Sequence, residues 1–295
     1  MAFSGALVKK AADQTTANYS AGAVVTWDTE TYDVGGWHDT GSNTSRLTVP
    51  SGVTHVRITG QVAVEAVASN SASYLYVIKN GDNNVATRHI NLPRASPAFT
   101  NGGDHFVNLA SGPLAVSPGD YFELFYHMPA DSSVTINAAK SWFAIEAIES
   151  FSGAMAKKAA DQTTANYSTD AVITWDTDAL DVGGWHDTGS NTSRLTVPSG
   201  VNYVRVLAGV CVELTAANAD VYAWIEKNGD NNAATRHVNL PIRLQDSTGD
   251  NANINLVSGP LAVTAGDYFE VRLLTTGDSS VTVEDYSWFA IEKLA

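Results

Sequence analysis

Apolar and polar residues alternate with a period of two along most of this chain, and turn residues interrupt the alternation at regular intervals. Val56, Ile58, Gly60, Val62 and Val64 share one parity, while Arg57, Thr59, Gln61 and Glu65 take the other. The same split runs from Val204 to Glu213. Phe122, Leu124 and Tyr126 alternate with Tyr121, Glu123 and Phe125; Phe269, Val271 and Leu273 alternate with Tyr268, Glu270 and Arg272. Because successive side chains of a strand point to opposite faces, each run predicts a strand with one face on a core. Asn80-Gly81 and Asn228-Gly229 follow such runs and suit a type I′ hairpin turn, which needs positive φ at both central residues. Ser117-Pro-Gly-Asp and Thr264-Ala-Gly-Asp supply turns into the next strand. No stretch sustains a helical period, although Ala6–Ala17 has room for a turn or two of helix. Many short strands with these turns predict an all-β sandwich or barrel.

The pattern occurs twice. Trp27–Val53 returns as Trp175–Val201 with three differences, all ahead of the shared Asp-Val-Gly-Gly. Phe3-Ser-Gly-Ala returns at Phe151–Ala154. Repeats this long are whole domains rather than solenoid units, so the expected domains are 1–150 and 151–295. Trp142-Phe-Ala-Ile runs into Phe151-Ser-Gly-Ala almost without a linker. The last strand of one domain must therefore end near the first strand of the next. A jelly roll, whose terminal strands are neighbours, meets that demand.

A net charge of −14 argues against a nucleic-acid partner, which needs basic groups to displace counterions from phosphate. It argues equally against an anionic membrane surface, and no apolar run is long enough for membrane insertion. The single cysteine, Cys211, sits in an apolar alternating run and reads as a small buried hydrophobe. The N-terminal residues lack the apolar core of a signal peptide and belong to the first repeat.

One ordered set of motifs resembles a known family. Asp33-Val-Gly-Gly-Trp-His-Asp, Ser45-Arg-Leu-Thr-Val-Pro-Ser-Gly-Val, Lys79-Asn-Gly, Gly119-Asp-Tyr-Phe and Ser141-Trp-Phe-Ala-Ile are similar to the C1q/TNF-like jelly rolls. The second copy matches from Asp181, Ser193, Lys227, Gly266 and Ser287. The resemblance implies two tandem jelly-roll β-sandwiches of about ten antiparallel strands each, usually trimeric recognition heads. The plain style resembles the C1q-like domains of bacteriophage and phage-derived particles, which serve as fibres, spikes or head decorations. The family's calcium ligands do not map onto this sequence.

Four groups of residues are candidates for function. In the duplicated cassette, Trp37, His38 and Asp39 with Trp185, His186 and Asp187 either plug the end of the sandwich or form a sugar platform. There a ring would stack on the sugar while polar neighbours bond its hydroxyls. Arg88, His89 and Arg94, echoed by Arg236, His237 and Arg243, either grip acidic sugars or pair with surface acids. The segments after them, Ala95–His105 and Leu244–Asn253, diverge most between copies and are where different specificities would sit. Tyr74 and Tyr76, with Tyr222 and Trp224, fall on the non-core parity and predict a protomer contact. So do Tyr121 and Phe125, with Tyr268 and Arg272. Arg272 there needs an acidic partner such as Glu270.

No metalloprotease, nucleophile-elbow or phosphate-loop motif is present, and neighbouring His38 and Asp39 point apart on an extended chain. The chain is therefore expected not to be an enzyme and to need no cofactor or metal, with calcium at the Asn-Gly-Asp-Asn-Asn turns as the lesser alternative. The expected function is adhesion: a homotrimer on the surface of a virion or phage-like particle, assembled from cytoplasmic protein and binding host surface polysaccharide. The alternatives are a capsid decoration protein without a ligand and a polysaccharide depolymerase.

Overall fold

The computed structural model describes residues 3–15, 18–65, 73–83, 90–94, 104–128, 134–148, 151–163, 166–214, 220–230, 238–243, 251–276 and 281–294. The chain divides into two compact units, Met1–Glu149 and Ser150–Ala295. Each is a jelly-roll sandwich.

The strands of the first unit are β1 (Gly5–Lys9), β2 (Ala23–Val24), β3 (Thr29–Val34), β4 (Leu47–Thr48), β5 (His55–Glu65), β6 (Ser73–Lys79), β7 (Ile90–Arg94), β8 (Asp104–Ala110), β9 (Leu114–Ala115), β10 (Tyr121–His127), β11 (Thr135–Ile136) and β12 (Trp142–Ala147). The second unit has β13 (Gly153–Lys157), β14 (Ala171–Val172), β15 (Thr177–Val182), β16 (Arg194–Thr196), β17 (Tyr203–Glu213), β18 (Asp220–Lys227), β19 (Val238–Arg243), β20 (Asn251–Val257), β21 (Leu261–Ala262), β22 (Tyr268–Thr276), β23 (Thr282–Val283) and β24 (Trp288–Leu294). Several of these are two-residue pieces, which take the number past ten.

In the first unit the larger sheet runs β11-β5-β12-β1-β3, with β8 and β9 also on β5; the smaller runs β2-β10-β6-β7, with β4 on β10. The second unit repeats this as β15-β13-β24-β17-β20 and β14-β22-β18-β19. First and last strands are neighbours in both: Gly5 faces Glu146, and Gly153 faces Glu292. That adjacency lets the chain leave one unit and begin the next without a linker.

The alternation of β5 holds, with Val56, Ile58, Gly60, Val62 and Val64 all buried. The helical turn allowed within Ala6–Ala17 does not form at its start, where β1 pairs with β12 on one side and β3 on the other. Two ladders of backbone bonds outweigh the small helical preference of Ala6 and Leu7. The Asn-Gly turns take the expected left-handed angles, φ 56° and 73° at Asn80 and Gly81 and 56° and 71° at Asn228 and Gly229. Between the sheets Trp27 packs on Phe143 with ring centroids 5.9 Å apart, and Trp175 packs on Phe289 at 5.8 Å. Cys211 is buried, and burial pushes its thiol up, with Glu284 adding to the effect.

Candidate functional site

The cassette is built around Asp33. Its Oδ1 accepts from the backbone N–H of Gly36 at 3.1 Å and Trp37 at 2.9 Å, and its Oδ2 accepts from His38 N–H at 3.1 Å. This tight turn requires φ of 119° at Gly35 and 75° at Gly36, the left-handed region that favours glycine. A side chain at Gly35 would also meet Ser4 Oγ at 2.9 Å. The turn drives the indole of Trp37 inward, where Nε1 donates to Ser4 Oγ and the Val34 carbonyl, both at 3.2 Å. Asp181, Gly183, Gly184 and Trp185 repeat the arrangement, with Trp185 Nε1 donating to the Val182 carbonyl at 3.1 Å.

Of the two readings of the cassette, plug or sugar platform, the buried rings form the plug. Trp37 and Trp185 are each 1% exposed, so neither offers a face to a ligand. His38 and His186 are enclosed as well, each bonded through both ring nitrogens. Asp39 is exposed but folds back on its own loop, accepting from the N–H groups of Gly41 and Ser42 and the Ser42 hydroxyl. The Ser42 hydroxyl bond, followed by those backbone bonds, lowers its carboxyl below the ordinary range. Asp187 does the same with Ser190 and Gly189. His38 and Asp39 serve different partners, as their opposed directions on an extended chain require.

The Asn-Gly turn is tied to the strand beside it. Asn80 donates to Asp120 at 2.8 Å and accepts from Tyr121 N–H at 2.9 Å, while Lys79 pairs with Asp120 at 2.6 Å. Asn228, Asp267, Tyr268 and Lys227 repeat this. Burial works to raise the Asp267 carboxyl, but bonds from Lys227, Asn228 and Thr264 N–H hold it well below the usual carboxylate range. The side-chain oxygens of Asn80 and Asn228 are thus engaged within their own turns.

On the outward face of the smaller sheet the two units part ways. In the first, Phe125, Tyr76, Tyr74 and His127 form a ladder of stacked rings with centroids 5.6–6.1 Å apart. In the second, Arg272 stands where Phe125 does. It pairs with Glu226 at 2.7 Å and Asp170 at 2.6 Å. The expected partner Glu270 is taken instead by Ser193 and Arg194, at 2.6 and 3.2 Å. Burial alone would lower the Arg272 guanidinium, but its bonds to the two carboxylates raise it. Three positions change together: Gly22, Ile78 and Phe125 correspond to Asp170, Glu226 and Arg272. A Cβ at Gly22 would lie 2.3 Å from the Phe125 ring, so the phenyl requires glycine there and the arginine rewards aspartate.

Tyr76 and Trp224 are buried, at 5% and 0% exposure, so the protomer contact expected of them finds no open surface on these two rings. Tyr74, Phe125 and Tyr222 are partly open. Tyr121 and Tyr268 are each covered by an arginine, Arg46 and Arg194, with the guanidinium carbon 4.0 Å from the ring centre. Arg88, His89, Arg236 and His237 lie outside the described residues. The backbone places Arg94 opposite Ser73 and Arg243 opposite Asp220; their side chains also lie outside the description.

One cluster escaped the sequence reading. The carboxylates of Asp161, Glu284 and Asp285 gather with ligand atoms within 4.8 Å of one another. Burial, then the charges of Asp161 and Glu213, push the Glu284 carboxyl up to about 7; burial and Asp161 also raise Asp285. The first copy has Ala138-Ala139-Lys140 in place of Glu284-Asp285-Tyr286. That exchange, just ahead of the last strand, was the available signal. The described residues thus offer three oxygen donors to a hard cation here, in the second unit.

No family model and no curated protein matches this chain. Among solved structures, those of murine APRIL at pH 5.0 and at pH 8.0 are similar to half of it. Each has 11% identity and a TM-score of 0.37, covering 50% of this chain and 100% of the other.

Proposed function

We propose that the chain is a non-enzymatic recognition protein on the surface of a phage or phage-like particle, a homotrimer that binds host surface polysaccharide. The observation that carries this reading is the contrast between a shared framework and faces that differ. The cassettes of the two units spend their Trp, His and Asp side chains on the same internal bonds. The non-core faces of the smaller sheets instead hold, buried or half-buried, an aromatic ladder in one unit and an ion-paired arginine in the other. Rigid scaffolds that vary at their surface suit binding to more than one ligand. The particle setting and the trimer follow the resemblance to phage C1q-like domains. Since Trp37 and Trp185 are buried, the polysaccharide contact is assigned to the divergent segments after Pro93 and Pro241.

The test is binding of the full chain to purified host capsular polysaccharide, beside a variant in which residues 95–103 are replaced by the sequence of 244–250. Wild type should bind and the variant should change its preference. Absence of wild-type binding overturns the adhesive reading. Co-sedimentation with stripped particles but no polysaccharide binding would then mark a decoration protein. A falling viscosity of the polysaccharide would overturn the non-enzymatic part, and light scattering at one chain mass would overturn the trimer.

A further inference from the structure

The side chain of His38 is fully enclosed, yet both its nitrogens face oxygen acceptors. Nδ1 lies 3.0 Å from Glu30 Oε1, and Nε2 lies 3.3 Å from the Thr44 carbonyl. That carbonyl also accepts from Trp27 N–H at 2.8 Å, which fixes its direction. His186 repeats the arrangement, 2.6 Å from Asp178 and 3.3 Å from the Thr192 carbonyl, which accepts from Trp175 N–H at 2.8 Å. A neutral imidazole has one N–H and one lone pair, so it satisfies one of these acceptors and sets lone pair against lone pair at the other. Only the ring carrying both protons donates to both.

The repeat supplies an internal comparison. Where the cassettes differ, Thr31 becomes Ala179 and Tyr32 becomes Leu180, both changes of character, but Glu30 becomes Asp178. The acid survives with a shorter side chain, and so does its contact with the ring. The charged groups around His38 are acidic: Glu30 from β3 bonds the ring, Asp33 from β3 accepts from the backbone N–H of His38, and Asp39, bonded to its own loop, lies near enough for its charge to interact. Arg46, on the following segment, turns away to Glu123 and the Tyr121 ring. In the second unit the acids are Asp178, Asp181 and Asp187, and Arg194 turns to Glu270 and Tyr268.

We propose that each cassette is a proton-operated clasp, in which a charged imidazolium ties the edge strand (β3 or β15) to the loop ending at Thr44 or Thr192. On deprotonation the remaining N–H stays with the carboxylate, since a bond to an ionised acceptor is the stronger. The tie to the loop is lost. The clasp's contribution is therefore present while both ring nitrogens carry protons and is lost when one proton leaves.

The experiment uses the full chain labelled with ¹⁵N. Imidazole nitrogen shifts should report two protonated nitrogens on His38 and His186 at about pH 5.5. Amide-exchange protection of residues 40–46 and 188–194, corrected for intrinsic rates, should fall roughly ten-fold by about pH 8.5, the scale of one charge-assisted bond. His38→Gln should flatten that dependence in the first unit and leave it in the second. A bare lone-pair nitrogen at pH 5.5, or loop protection that ignores pH in the wild type, overturns the proposal. If His38→Gln fails to fold its unit, the wild-type nitrogen shifts decide by themselves.

Discussion

Replacing Trp37 with alanine separates a framework residue from a binding platform. The indole is 1% exposed, and an enclosed tryptophan removes about 200 Å² from water. At roughly 25 cal/mol per Å² that is about 5 kcal/mol of transfer. Partial collapse of the space recovers some of it, which agrees with the 3–5 kcal/mol that buried aromatic-to-alanine changes typically cost. The substitution also leaves the Val34 carbonyl and Ser4 hydroxyl without the indole N–H. A loss of about 4 kcal/mol lowers the melting temperature of a unit this size by roughly 8–16 °C. Calorimetry of the full chain measures this directly, and Trp185→Ala should reproduce it in the second unit. A variant that melts within about 2 °C of wild type while losing polysaccharide binding would refute the framework assignment and restore Trp37 to the ligand.

Gly35→Ala should destabilise the first unit by more than Gly36→Ala. Both take left-handed φ, but a Cβ at 35 meets Ser4 Oγ and the Trp37 ring while one at 36 meets nothing within 4 Å; the left-handed cost alone is about 1 kcal/mol, and denaturant midpoints rank the pair. Asp267→Asn should remove a stabilisation present above the ordinary carboxylate range and lost as pH falls, because the native carboxyl is held low. Acid unfolding of the variant should therefore begin from a lower plateau, by about 1–2 kcal/mol at neutral pH. Glu284→Gln should act with the opposite sign. Its native carboxyl is raised to about 7, so its contribution is present in acid and lost as pH rises toward and through that value. The variant should be the more stable protein at about pH 8 and should lose that slope, and a melting-temperature series against pH reads both.

The sandwich was legible because a half-buried strand writes its two faces into alternate residues, and because Asn-Gly at a hairpin has a single backbone solution. The cassette was legible as a turn at Gly35-Gly36 but not as to which way Trp37 would face. A tryptophan beside a glycine pair suits a plug and a platform equally, and only the Asp33 bonds to three successive N–H groups decide it. Arg272 shows a different limit. Its partner Asp170 lies far away in sequence and joins it only because β14 pairs with β22. The joint change from Gly22, Ile78 and Phe125 was nevertheless present in the aligned copies. The pairing of β1 with β12 was anticipated from the missing linker between the repeats, whereas that of β1 with β3 was not, because Gly5–Lys9 is too short to declare its second neighbour.

The pairing of first and last strands also sets the order in which the protein can be made. Gly5 finds Glu146 only when nearly the whole unit exists, so the larger sheet closes late in synthesis. Until then β1 and the first cassette wait as unsealed edges. The second cassette, nearly the same in sequence, has then yet to be translated beyond its first residues. If β12 seals onto β1 before Trp175–Val201 is complete, each cassette is kept with its own sheet. Refolding the full chain from denaturant removes that timing and exposes both copies at once, conditions that favour exchange of equivalent strands between units.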